Sequence, residues 1–101
     1  MLKNWSIITT EANKPEVVVN STVAEKPDIV SAIVYNDSVN DANIKLSLFG
    51  TTGIRAVIFN SKWSPKETVF FENFKVFFNE GDYLQIESDQ VGINILVNGK
   101  A

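Results

Sequence analysis

The chain has 101 residues, nine Lys or Arg against twelve Asp or Glu, a formal net charge of -3, and neither His nor Cys. That length is one domain, and 45% hydrophobic residues suffice for a packed core without staples. The missing thiols and imidazoles exclude disulfides, Cys/His zinc sites, a Cys nucleophile and a His general base.

Strand-forming residues dominate: 12 Val, 10 Ile and 6 Thr, against 11 Ala and Leu together. Trp5 to Thr10 reads as the first strand and Glu16 to Val23, around Val17-Val18-Val19, as the second. Ile29 to Tyr35 follows Pro27 and is apolar on both faces, as a central strand is. After the polar turn Asn36 to Asp41, the run Ala42, Ile44, Leu46, Leu48 alternates with Asn43, Lys45 and Ser47, which puts one face inward and one in water. Gly50-Thr51-Thr52-Gly53 supplies a reversal, and Ile54 to Phe59 returns as its partner. Asn60 to Lys66, with Trp63 and Pro65, reads as a loop. Val69 to Phe71 and Phe74 to Phe78 are two strands or one broken strand, with Val69, Phe71, Phe74, Val76 and Phe78 inward and Phe70 and Phe77 outward. Asn79-Glu80-Gly81-Asp82 is a turn with Gly81 left-handed. Tyr83 to Ser88 sends Leu84 and Ile86 inward, and a last strand from Gly92 does the same with Ile93, Ile95 and Val97 before a turn at Asn98-Gly99.

Turn signals every 8 to 12 residues in an all-strand chain indicate an antiparallel β-sandwich, of jelly-roll or immunoglobulin-like type, with seven or eight strands. One domain spans residues 1–101, with residues 1–25 forming an N-terminal arm or an edge strand. No stretch has the length of a signal peptide's apolar core or a membrane span, so a product made in the cytoplasm without membrane contact is expected. Scattered cations on an acidic chain give no nucleic-acid footprint.

Three clusters invite a chemical reading. Asp37 to Asp41 offers oxygen ligands for calcium, but Asn and Asp are also what any turn recruits. Glu80 and Asp82 form a carboxylate pair, yet they flank one glycine and belong on a solvated tip rather than in a cleft. Trp5, Trp63, Tyr35 and Tyr83 are the candidates for sugar-stacking platforms, against a plain role in the core. No enzyme activity, metal or cofactor is expected. The interface candidates are Val17, Val18 and Val19, an apolar run on an edge, and Phe70 and Phe77 near Trp63, a patch that monomers seldom leave open.

Ser31-Ala32-Ile33-Val34-Tyr35-Asn36-Asp37, Asp41 to Leu48, Pro65-Lys66-Glu67 and Phe78-Asn79-Glu80-Gly81-Asp82-Tyr83-Leu84-Gln85-Ile86 occur in an order that resembles small β-sandwich bacteriophage virion proteins. The likeness runs from Ile29 to Gly99. It implies a non-catalytic virion structural or assembly module, such as a capsid decoration, head-fibre, neck or tail accessory protein. Such a protein partners with its own copies or with other virion proteins. The alternative expectation is a carbohydrate-binding or adhesion sandwich with a glycan as ligand.

Overall fold

The computed structural model describes residues 2–22, 25–72 and 75–100. Among the described residues nine strands follow in chain order: β1 (Leu2–Ile8), β2 (Glu16–Asn20), β3 (Asp28–Asn36), β4 (Ala42–Gly50), β5 (Gly53–Trp63), β6 (Thr68–Phe71), β7 (Val76–Phe77), β8 (Tyr83–Ser88) and β9 (Ile93–Lys100). There is no helix among the described residues. Phe74, expected inward, lies outside them.

The strands form two sheets, β1-β9-β3-β6 with β7 also on β3, and β2-β8-β4-β5. Every pairing is antiparallel. β6 and β7 pair with different stretches of the same β3, so they share one edge position and leave eight positions in all. The pairs β4·β5, β3·β6, β2·β8 and β1·β9 nest inside one another along the chain. A ribbon nested this way and folded over on itself is the jelly roll, which settles the choice between the two expected sandwich types.

The core lies between the sheets. Ile44, Leu46, Leu48, Leu84, Ile86 and Val19 from one sheet meet Ile29, Ala32, Val34, Ile93, Ile95 and Val97 from the other, all buried. The alternation read in β4, β8 and β9 therefore has the expected register. Val69 and Phe71 pack partly buried against this core and Val76 and Phe78 are buried in it, while Phe70 and Phe77 point out.

Three expectations are corrected. Asn60 to Trp63 is not a loop but the end of β5, because Lys62 and Asn60 pair with Asn43 and Lys45 on the wet face of β4. Asn98-Gly99 does not end the last strand: β9 runs to Lys100, paired with β1 on one side and β3 on the other. Asp82 is not on a solvated tip. It is buried, and its carboxylate accepts from the Arg55 guanidinium and from the Asn79 N–H at 2.8 Å.

Candidate functional site

The two sheets carry different outer faces. On the first sheet, cross-strand register places Phe70 (β6), Ile33 (β3), Leu96 (β9) and Ser6 (β1) in one row. The next row is Thr68, Tyr35, Asn94 and Ile8. Toward the other end, Val30 is exposed and Phe77 pairs with Asp28. Phe70 is 65% and Phe77 66% exposed, and Ile8 57%. Three adjoining strands therefore carry an apolar row, an exposed Phe70 beside half-buried Ile33 and Leu96. An isolated exposed Phe is unremarkable, whereas a contiguous apolar face on a sheet marks an interaction surface.

The outer face of the second sheet is mixed. Glu87, Lys45 and Asn60 stand side by side on β8, β4 and β5, followed by half-buried Gln85 and buried Ser47. Val17 and Val57 lie exposed at the two ends of the Gln85–Ser47 row, and at the far end the Phe49 and Tyr83 rings stack at 5.2 Å and 4° beside Ile54.

The sequence-derived interface candidates do not form one surface. Val19 is 1% and Trp63 4% exposed, so both belong to the core and, contrary to expectation, neither offers its side chain to a partner. Trp63 closes the side of the sandwich where β5 faces β6, with its ring 5.6 Å from Phe59 and 6.2 Å from Phe71. Its indole N–H donates to Ser61 Oγ at 2.8 Å. The bulge between Val17 and Val19 turns Val18 to a half-buried position against the core and leaves Val17 exposed. Val17 sits on the opposite sheet and the opposite edge from Phe70 and Phe77. Those two rings do share the outer face of the first sheet.

Sequence reasoning missed Ile33, Leu96 and Tyr35 as members of that face. The signal was present: β3 is apolar on both faces, and Leu96 interrupts the polar outward set of Asn94 and Asn98. Among the sugar-platform candidates, Trp5 is half-buried with the Lys3 ammonium 5.4 Å from its ring centre, and Tyr35 and Tyr83 are half-buried on opposite outer faces.

The polar turn is organised by its own residues. Asn36 is buried, and its amide donates to Asn40 O at 2.9 Å and Ser64 O at 3.0 Å while Oδ1 accepts from Ser38 N at 3.0 Å. Asp37 pairs with Lys66 at 2.8 Å. The hydrogen bond and charge of that ammonium hold the Asp37 carboxyl below the usual carboxylate range, and the Lys66 ammonium is raised in return. Among the described residues there is no group of three or more His, Cys, Asp or Glu placed to hold a metal ion. No helix there is long and apolar enough to cross a membrane.

No family model and no curated protein matches the sequence. Solved structures do match in fold. The crystal structure of PirA aligns with a TM-score of 0.56 at 15% identity, over 96% of this chain and 92% of that one. The two chains share a fold. The structure of infectious bursal disease virus, Gx strain, aligns at 0.49 and 12% identity, over 97% of this chain. The VP2 subviral particle of the same virus aligns at 0.43 and 11% identity, over 96% of this chain. This chain spans about a third of each viral chain, 33% and 32%.

Proposed function

We propose that the chain is a non-catalytic structural module of a virus particle, of the bacteriophage head-decoration, head-fibre, neck or tail accessory kind. It assembles through the outer face of its first sheet with other copies or other virion proteins. The observation that carries this reading is the apolar row of Phe70, Ile33 and Leu96, with Phe77 and Val30 on the same face. A surface of that kind is costly to leave in water and is stabilised when covered. The resemblance of Ile29 to Gly99 to small phage virion proteins supplies the particle. Jelly rolls serve capsid and lectin domains alike, so the fold permits the reading without fixing it.

The test pairs Phe70→Ser with Phe77→Ser. Both rings are exposed, so the double variant keeps its circular dichroism spectrum and unfolding midpoint. It is lost from purified particles when these are examined by mass spectrometry. Incorporation at the wild-type level overturns the proposal.

A carbohydrate-binding reading draws on a different observation, the side-by-side Glu87, Lys45 and Asn60 on the outer face of the second sheet. A glycan array probed with the isolated protein separates the two readings.

A further inference from the structure

Edge strands carry N–H and C=O groups with no ladder partner, and proteins blunt them with bulges, breaks, short length or charge. Three of the four edges here are blunted. β2 has five residues and a register shift between Val17 and Val19. β5 is shifted twice against β4, between Leu46 and Ser47 and between Leu48 and Phe49, and it carries Arg55 and Lys62. The edge opposite β1 is split into the four residues of β6 and the two of β7. β1 is different. Its seven residues pair with β9 in unbroken register, from Leu2 with Lys100 to Ile8 with Asn94, and hold neither Pro nor Gly. Among the described residues no strand pairs with its other side.

Which groups face that open side follows from the alternation of the ladder. The Thr9 N–H donates to Ile93 O at 2.9 Å, so Thr9 faces β9. Every second residue of an antiparallel strand faces the same neighbour. Ile7, Trp5 and Lys3 therefore also face β9, and Leu2, Asn4, Ser6 and Ile8 send their N–H and C=O groups outward. The side chains of those four are exposed on the outer face.

We propose that β1 pairs antiparallel with β1 of a second copy, across a two-fold axis at Trp5. A hydrogen-bonded pair needs an outward-facing residue from each strand, which restricts the register. The register that uses the whole strand sets Leu2 against Ile8 and Asn4 against Ser6, each twice. Apolar then meets apolar and polar meets polar. A slip by two residues sets Leu2 against Ser6 and leaves Ile8 without a partner. Lys3 is the one charged residue of β1, and Glu25 of its own protomer already compensates it at 2.8 Å. In the dimer the two Lys3 residues stand four positions apart, roughly 14 Å at the usual rise. That exceeds the Debye length of about 8 Å at physiological salt, so they do not oppose the pairing. Trp5 meets its own copy at the axis, which covers the part of the indole that the monomer leaves in water. The axis of such a pair is perpendicular to the sheet, so the two first sheets join and their apolar outer faces stay on one side. This pairing stands on the geometry of the edge and does not depend on the virion reading.

Sedimentation velocity of the full chain at physiological salt is expected to show a dimer that dissociates on dilution, with a change in Trp5 emission. N4K/S6K sets Lys against Lys twice, and N4E/S6E sets Glu against Glu twice. Each variant alone is expected to be a folded monomer by circular dichroism, and an equimolar mixture to return to a dimer, since each new cation then faces a new carboxylate. Phe70→Ser with Phe77→Ser leaves this dimer intact, which separates its failure from failure of the outer-face proposal. A wild type that stays monomeric at the highest concentration that remains clear overturns the proposal. So does a charged variant that remains dimeric, or a mixture that remains monomeric. Should a charged variant lose its fold, the wild-type dilution series and Ser6→Pro, which removes an outward N–H without touching the β9 ladder, decide the matter.

Discussion

Asp82 shows how much one residue's neighbours change its role. Its carboxylate takes the Arg55 guanidinium and the Asn79 N–H, and its carbonyl accepts from Ser21 N at 2.9 Å and Ser21 Oγ at 3.0 Å. Three elements that are distant in sequence, the end of β2, the β4–β5 hairpin and the turn before β8, are thereby tied at one end of the sandwich. The side chain of Arg55 reaches Asp82 across Gly50, where a Cβ would lie 3.0 Å from Arg55 Cδ and 3.2 Å from Asp82 Oδ1. Glu80, two residues away, is exposed. Hydrogen bonds to a charged group contribute about 1.5–3 kcal/mol each, whereas exposed sites change stability by about 0.5 kcal/mol or less. Asp82→Ala is therefore expected to lower the unfolding free energy in urea by about 2–3 kcal/mol, with Glu80→Ala nearly silent. Equal effects would mean that the two carboxylates share one environment. In the sequence both are carboxylates flanking Gly81, and nothing local to that turn shows that Arg55 and Ser21 converge on Asp82 alone.

At the level of strands, legibility followed the two-residue period. β4, β8 and β9 alternate an aliphatic inward set with a largely polar outward one, Leu96 excepted, so the order of their residues predicts the register. It failed where a strand's neighbours, not its own residues, decide the outcome. Asn60, Ser61 and Lys62 are polar and read as loop, but they extend β5 because β4 offers a ladder partner for each. Gly99 read as a turn residue, yet it is buried in β9 for the opposite reason, close approach of backbone. A Cβ there would lie 2.1 Å from Asp28 O and 3.1 Å from Ile29 Cα, beside the register shift between Ile29 and Ser31. Neither atom belongs to a flexible side chain, so the strand pair must part to admit it. Overpacking of this kind costs about 1–3 kcal/mol or more. Gly99→Ala is expected to lower the urea midpoint by a corresponding amount, with weakened hydrogen-exchange protection in β3 near Ile29. A neutral outcome would show a chain that turns at Asn98-Gly99 as the sequence suggested.

The whole molecule is one long hairpin ribbon rolled over, and the order of its pairings along the chain implies an order in time. β4 and β5 are joined by Thr51-Thr52 alone, with Gly50 opposite Gly53, and Gly53 holds φ at +126°. β1 and β9 close the outermost loop: the Ile93 N–H reaches Thr9 Oγ1 across 84 positions at 3.0 Å. Closing a longer loop costs more chain entropy before any contact offsets it. The inner hairpin is therefore expected to form in the folding transition state, before the outer pair. An L-residue is strained at the φ of Gly53, and Ile7 is a partly buried β1 residue packed on the core, so a substitution at each reports on one end of the ribbon. Stopped-flow kinetics should show Gly53→Ala slowing folding with little change in unfolding, and Ile7→Ala speeding unfolding with little change in folding. If Ile7→Ala slows folding in proportion to its loss of stability, the terminal strands meet early and the nested order is not the folding order. The same measurement bears on β1 as an edge. A strand that joins last and pairs with only one neighbour is free to recruit a second one from another copy, whereas an early, buried β1 would have to be prised from a finished nucleus.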